Sequence, residues 1–428
     1  SNSVFTGSLA VDAAGRAWAA WMDSRVPDTN KVYLQAVTPE GALLFPQELD
    51  RGVGSEPVLA RLADGVVLGW NWPQTHLEKF TFSEQAEWVV NTDILPVCDG
   101  LAISSDATQA LWATTICGSR VEVMKFSSSG TALWSQPVEL RSNVAAQAKG
   151  VSIDASGSRA ALAWSDNRAG NKQVRMQMVS AEGQIAWPVD RLVNDTPGSA
   201  LQTLSDVTTE PDGTHYIAWK DNRRGHYNLY LQKFSAAGER LWASDILVNE
   251  PLLNRLLSSP SIAMDGLGRL YVAWVTIDQN ASNGGIMSLQ RFDENGNKIW
   301  PAARSLDWSG GSEISHPALA PDPVDGFTLA WQAHNGTISL QRFTEDGQPR
   351  WANPTAVASA STFFSEIQVQ LTSSARALIV WPDQQLVFAQ SVNANGQIAW
   401  VSPVAIMDTP LHYGSYGEAL AIDADGNA

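Results

Sequence analysis

Three Asp-x-Arg pairs hold the residue types best suited to chemistry in this chain: Asp23 with Arg25, Asp166 with Arg168, and Asp221 with Arg223. Each pair follows a tryptophan two positions earlier. A guanidinium fork can clamp a carboxylate bidentately, so three of them on one face could hold an acidic ligand. The same spacing also builds loops, with Asp accepting backbone N–H groups and Arg bridging to the carbonyls of a neighbouring element. Because the pairs recur at fixed spacing, with Gly170 or Gly225 two residues further on, all six residues are read as architecture.

The elements that position them are copies of one unit. The best-formed copy runs Trp219, Asp221, Arg223, Gly225, Tyr230, Gln232, Phe234, Gly238, Trp242. Aligned copies give a first ladder of Trp21, Trp70, Thr114, Trp164, Trp219, Trp274, Trp331 and Trp381, and a second of Phe45, Trp88, Trp134, Trp187, Trp242, Trp300, Trp351 and Trp400. A Gly stands four residues before every member of the second ladder except Trp88. In the sixth copy, Ser261–Met264 and Leu270–Val275 read as strands joined by a tight turn. Met287–Phe292 alternates as a half-buried strand, and Ile299 and Trp300 open a fourth.

Tight turn, long loop, tight turn, long connection is the cadence of a β-propeller blade, and no stretch keeps a helical period for ten residues. The sequence predicts an all-β propeller of eight four-stranded blades, with seven as the alternative. Residues 1–413 form the ring, and 414–428 are a truncated ninth repeat or the start of a following module. Twisted blades need wedges between them, and indoles supply about 200 Å² each.

In this fold the loops joining strands two and three share one face with the connections between blades. His76, His226 and His334 fall in the former and His316 and His412 in the latter, while His215 sits in a tight hairpin on the opposite face. Non-repeating aromatics gather on the loop face as well: Trp72, Tyr227, Trp308, Phe363, Phe364, Tyr413 and Tyr416. Rings beside amides and carboxylates stack on sugars and make protein hot spots. His316, His334, Tyr413, Tyr416, Trp72 and Tyr227 are therefore the candidate ligand or partner residues, with no catalytic residue assigned. No metal-binding, phosphate-binding or dinucleotide motif occurs, so no metal or cofactor is expected.

Composition narrows the partners. A net charge of −16 and a pI near 4.7 argue against nucleic acid and anionic membrane surfaces, and nothing is long and apolar enough to insert in a membrane. Cys98 and Cys117 lie about nine residues either side of the first turn of copy three and are expected to pair as a disulfide across one blade, which would imply export. Three glycosylation triplets, at Asn194, Asn280 and Asn335, fit that compartment.

The Trp-x-Asp-x-Arg-x-Gly, Tyr-x-Gln, Asp-x-x-Gly-x-x-x-Trp repeat resembles those of large exported bacterial propeller proteins of cell surfaces and extracellular assemblies, and the resemblance covers essentially the whole chain. It implies a non-catalytic binding or scaffold module that meets a glycan or partner protein, within a larger assembly. The alternatives are a polysaccharide hydrolase or lyase using the same face, and a structural subunit of a longer repeat protein. Three arginines on one face are similar to the sialidase arrangement, but the sialidase Asp-box, Ser-x-Asp-x-Gly-x-x-Trp, fails: in Gly183 to Trp187 the spacing is one residue too long and the Asp is missing.

Overall fold

The computed structural model describes residues 4–407 except 27–28, 93–99, 142–147, 157–158, 196–201, 211, 251–254, 258–259, 266, 279–284, 307–316, 323–324, 334, 361–366 and 384–385. Among the described residues there is no helix, and the strands form eight antiparallel sheets. Each sheet takes its four strands from consecutive chain in the order one-two-three-four. Among the described residues only blade six splits its first strand, into Arg255–Leu257 and Ser261–Met264. First strands contact the first strands of both neighbouring blades, so they are innermost and surround an axis. The molecule is an eight-bladed β-propeller.

Central strands are buried on both faces, because every blade is covered by a neighbour on each side. Gly65–Asn71 and Asn228–Phe234 are buried throughout. The half-buried alternation expected for Met287–Phe292 is not found: Ser288 and Gln290 are as buried as Met287 and Leu289. Gln290 tolerates burial because its side-chain amide donates to the Trp300 carbonyl at 3.1 Å while its Oε1 accepts the Arg291 N–H at 2.9 Å. Gln177 repeats both bonds, to the Trp187 carbonyl and from the Met178 N–H, at 2.9 and 3.0 Å. The repeated Gln thus pins the second hairpin to strand three.

The fourth strand of blade six begins at Arg304 rather than at Ile299. Trp300 lies in irregular chain before it, where its ring can leave the sheet for the next blade. That is the joint on which the ring is built. The indole N–H of Trp134 donates to the Ala181 carbonyl at 2.9 Å, Trp187 to Ala237 at 3.1 Å, and Trp242 to Glu294 at 3.0 Å, each acceptor lying in the second hairpin of the following blade. The Gly of that hairpin has a positive φ, and its missing side chain makes room for the incoming ring. A Cβ on Gly296 would lie 2.9 Å from Trp242.

The last joint closes the circle in the same way. Trp400 of blade eight donates to the Pro39 carbonyl of blade one at 2.9 Å. A Cβ on Gly41, whose φ is +88°, would lie 2.8 Å from the Trp400 ring. Gln370 adds bonds across the same seam, to the Leu9 carbonyl at 2.7 Å and from the Val11 N–H at 2.8 Å. A hydrophobic core containing Leu9, Trp21, Val380 and Trp400 fills it. Among the described residues no strand is exchanged between first and last blades; side-chain packing and these bonds hold the ring.

The first hairpins carry a motif that sequence reading missed. Asp12 accepts the backbone N–H groups of Ala14 and Arg16 at 2.9 and 3.0 Å, the Arg16 guanidinium, and the Trp18 indole at 2.8 Å. Asp265 does the same for Leu267, Arg269 and the Tyr271 hydroxyl. The signal was Asp-x-x-Gly-Arg-x-Trp/Tyr.

Candidate functional site

The three Asp-x-Arg pairs form one repeated knot at the end of strand two. Asp166 accepts the Arg168 N–H at 3.1 Å and the Trp164 indole at 3.2 Å, and its carboxylate takes the Arg168 guanidinium. Asp221 and Arg223 repeat this, with the backbone bond at 2.6 Å, and so do Asp23 and Arg25 at 3.1 Å. The free end of each guanidinium reaches a further carboxylate rather than the carbonyls of a neighbouring blade: Arg25 reaches Glu48, Arg168 reaches Asp190 at 2.9 Å, and Arg223 reaches Asp245 at 2.9 Å and Asp195 at 2.9 Å. Arginine prefers carboxylate here because a paired charge offsets burial that a carbonyl dipole would only half meet.

Those acids were legible. Glu48, Asp190 and Asp245 each stand three residues after a second-ladder aromatic, and only in the three blades that carry the Asp-x-Arg pair. Their electrostatics differ. Burial alone would raise the Asp166 carboxyl, but the hydrogen bonds and charge of Arg168, with Arg141 behind, hold it below its ordinary value. Burial pushes Asp245 up to about 6, helped by Asp195, and Arg223 only partly offsets this. The Asp195 and Asp245 carboxylates accept one another's backbone N–H groups at 2.8 and 2.9 Å, which ties the blade-four connection to blade five.

Two aromatics of the loop face stand out in solvent. Trp72 is 59% exposed, with a φ of +73° that tryptophan seldom adopts. Its loop is braced beneath by the Thr75 hydroxyl on the Asn71 side-chain carbonyl at 3.0 Å and by His76 stacked on Trp70 at 4.7 Å. In the same blade Glu56 also has a positive φ, +50°. Tyr227 is 41% exposed, beside His226. Trp72 belongs to blade two and Tyr227 to blade five, so the two do not form one patch. His316, His334, Tyr413 and Tyr416, with Trp308, Phe363 and Phe364, lie outside the described residues.

His215 opens the second strand of blade five, in the first hairpin, opposite Thr209 where the turn ends. It is buried against the Thr209 hydroxyl at 2.9 Å, and burial lowers it to about 4. Asn194 is buried and cannot carry a glycan as folded, whereas Asn335 is exposed. Cys117 ends the second strand of blade three, and Cys98 lies outside the described residues.

On the axis one group is out of character. The first-strand residues opposite the position before each ladder-one residue include Ser8, Val58, Ile103, Ser152, Asp206, Ser261, Ala318 and Gln368, of which only Asp206 is ionisable. Its carboxyl receives the Ser152 hydroxyl at 3.2 Å and its neighbour Val207 N–H at 2.8 Å. The side chain is half-buried. Burial in that narrow space raises it to about 7, against the pull of those two donors.

No family model and no curated protein matches the chain. Solved structures resemble it in fold. A eukaryotic initiation factor aligns with a TM-score of 0.50 at 10% identity over 95% of this chain and 89% of that one. A Lactobacillus plantarum protein gives 0.46 at 11% identity over 96% of each chain. An α-L-arabinanase of Penicillium chrysogenum, complexed with arabinobiose, gives 0.42 at 11% identity over 72% and 92%. At such identities the likeness is one of architecture.

Proposed function

We propose that this propeller is an exported, non-catalytic binding module of a cell surface or extracellular assembly, akin to the bacterial repeat proteins its motif resembles, and that it contacts a glycan or a partner protein through its loop face. The carrying observation is Trp72. A loop that holds an indole more than half exposed in a left-handed backbone conformation gives up stability, and such strain collects where a side chain must be presented. Gln74, exposed two residues further on in the same loop, adds an amide suited to sugar hydroxyls.

The Asp-x-Arg pairs support the non-catalytic reading, since each carboxylate is engaged by a guanidinium and a backbone N–H group in the same knot. By their places in the repeat, His316, His334, Tyr413 and Tyr416 belong to the same face, and a Cys98–Cys117 disulfide would suit export.

The test is a glycan array and a panel of polysaccharide substrates, probed with the whole chain and with Trp72→Ala. Because the ring buries little, the variant should melt with the parent while its binding falls at least tenfold. Undiminished binding by Trp72→Ala would remove the tryptophan from the reading. Turnover of any polysaccharide would replace a binding module with an enzyme.

A further inference from the structure

On the hairpin face, opposite the loops just discussed, the seam between blades eight and one opens a cavity of about 280 Å³. Its walls are the Asp12–Gly15 turn of blade one, the Thr372–Ser374 turn of blade eight, Pro39, Arg61 and Arg376. The two turns have one backbone design: Asp12 N–H bonds to the Arg16 carbonyl at 3.1 Å, and Thr372 N–H to the Arg376 carbonyl at 2.9 Å. Their side chains differ in one decisive respect.

The two other first hairpins with Arg at the fifth position have Asp at the first, which neutralises it. Arg16 pairs with Asp12 at 2.5 Å and Arg269 with Asp265 at 2.6 Å. Blade eight keeps the arginine and replaces the aspartate with Thr372. The Thr372 hydroxyl still accepts the Arg376 backbone N–H, at 3.2 Å, so the turn survives. The charge is left unmatched. Among the described residues no carboxylate pairs with Arg376, whose guanidinium makes a single hydrogen bond, to the Pro39 carbonyl at 2.8 Å. Asp12 lines the same cavity but is occupied by Arg16, Trp18 and two backbone N–H groups.

We infer that this seam cavity is a binding site for a small carboxylate-bearing sugar. Arg376 has donors left over for a bidentate contact with a carboxylate, and Arg61 adds a second positive charge at the wall. The hydroxyls of Thr372, Ser373 and Ser374 line the opposite side, suited to ligand hydroxyls; Thr372 and Ser374 already touch at 2.9 Å. The volume is at the small end of ligand pockets, enough for one ring and not for a chain. In a protein of net charge −16, the unmatched charge of Arg376 gives such a site its selectivity for anions. This site is independent of the loop-face contact.

Sodium glucuronate is the probe and glucose its neutral counterpart, each titrated into the whole chain by calorimetry with saturation-transfer NMR for weak binding. Glucuronate should bind saturably, at least tenfold tighter than glucose. Thr372→Asp restores the repeat's own ion pair; it should abolish glucuronate binding while leaving the melting temperature at or above that of the parent, and Arg376→Gln should abolish it too. Trp72→Ala, which tests the other face, should leave glucuronate binding intact. Equal affinity for glucose, or retained glucuronate binding in Thr372→Asp, would overturn the inference.

Discussion

Replacing Gly41 with alanine strikes the joint that closes the ring. Its φ of +88° is costly for alanine, by about 1–2 kcal/mol. The added methyl would also lie 2.8 Å from the Trp400 ring, which must then move. Overpacking of this kind costs about 1–3 kcal/mol, and displacing the indole loosens its 2.9 Å bond to Pro39, worth about 1 kcal/mol more. Gly52, in the same blade, isolates the second effect. Its φ is +97° but a Cβ there meets nothing within 4 Å, so Gly52→Ala suffers the backbone strain alone. The alanine's effect on the unfolded chain is common to both variants and cancels in the comparison. Gly41→Ala should therefore be about 2–4 kcal/mol less stable than Gly52→Ala. With an unfolding entropy of about 2 cal/mol/K per residue, a ring of this size loses roughly 1 °C per kcal/mol, so calorimetry should separate the two by about 2–4 °C. If they melt together, the Trp400 joint does not hold blades eight and one, and the account of ring closure fails.

Three further outcomes are expected. Asp206→Asn should raise the melting temperature at pH 8 by removing a carboxylate that folding holds at about 7. Because the folded value lies above the unfolded one, the penalty is full above pH 7 and vanishes below about pH 4, so parent and variant should converge there; a gain that persists at pH 4 would refute the assignment. Arg223→Ala should cost about 1.5–3 kcal/mol in chemical denaturation, since it takes the guanidinium from Asp221 and leaves Asp245 with Arg240 alone; an unchanged midpoint with lost ligand binding would move the residue from architecture to recognition. Non-reducing mass spectrometry should find Cys98 bonded to Cys117, and two alkylatable thiols in exported material would defeat that pairing.

The cysteine expectation shows how far counting residues goes. In blade three, first and second strands pair Leu101 with Thr115 and Ser105 with Leu111, a register that runs one residue out of step with a Cys98–Cys117 pair. Blades one, four and five each shift by one residue through a bulge in strand one, between Thr6 and Ser8, Lys149 and Val151, and Leu204 and Asp206. Bulges are invisible to a symmetric count about a turn, because they depend on how the inner strand bends toward the axis.

What the sequence made legible were the parts local to one blade. Both aromatic ladders, the turns and the Asp-x-Arg spacing could be read because their residues lie within a few positions of each other. What it hid were relations between blades. The glycine four residues before each second-ladder aromatic looked like part of that aromatic's own turn, yet Gly296 makes room for Trp242 and Gly41 for Trp400, one blade earlier around the ring. The one blade that lacks this Gly, with Glu84 four positions before Trp88, follows the one blade whose aromatic is Phe45, with no N–H to donate. The two irregularities that seemed separate are the two sides of a single joint.

That coupling gives a rule for reading the rest of the surface. A departure from the repeat that is answered by a second departure across a joint, as Phe45 is by Glu84, belongs to the fold. A departure with no such answer leaves a group exposed or a charge unmatched. Trp72, exposed in a strained loop, and Arg376, whose usual aspartate has become Thr372, are of this second kind. They lie on opposite faces of the ring, one offering an apolar ring and the other a cation, so the chemistry each could recognise is different. A propeller can present both at once because Trp72 stands in a loop remote from the joints, while Arg376 meets a joint only at the Pro39 carbonyl that it shares with the Trp400 indole.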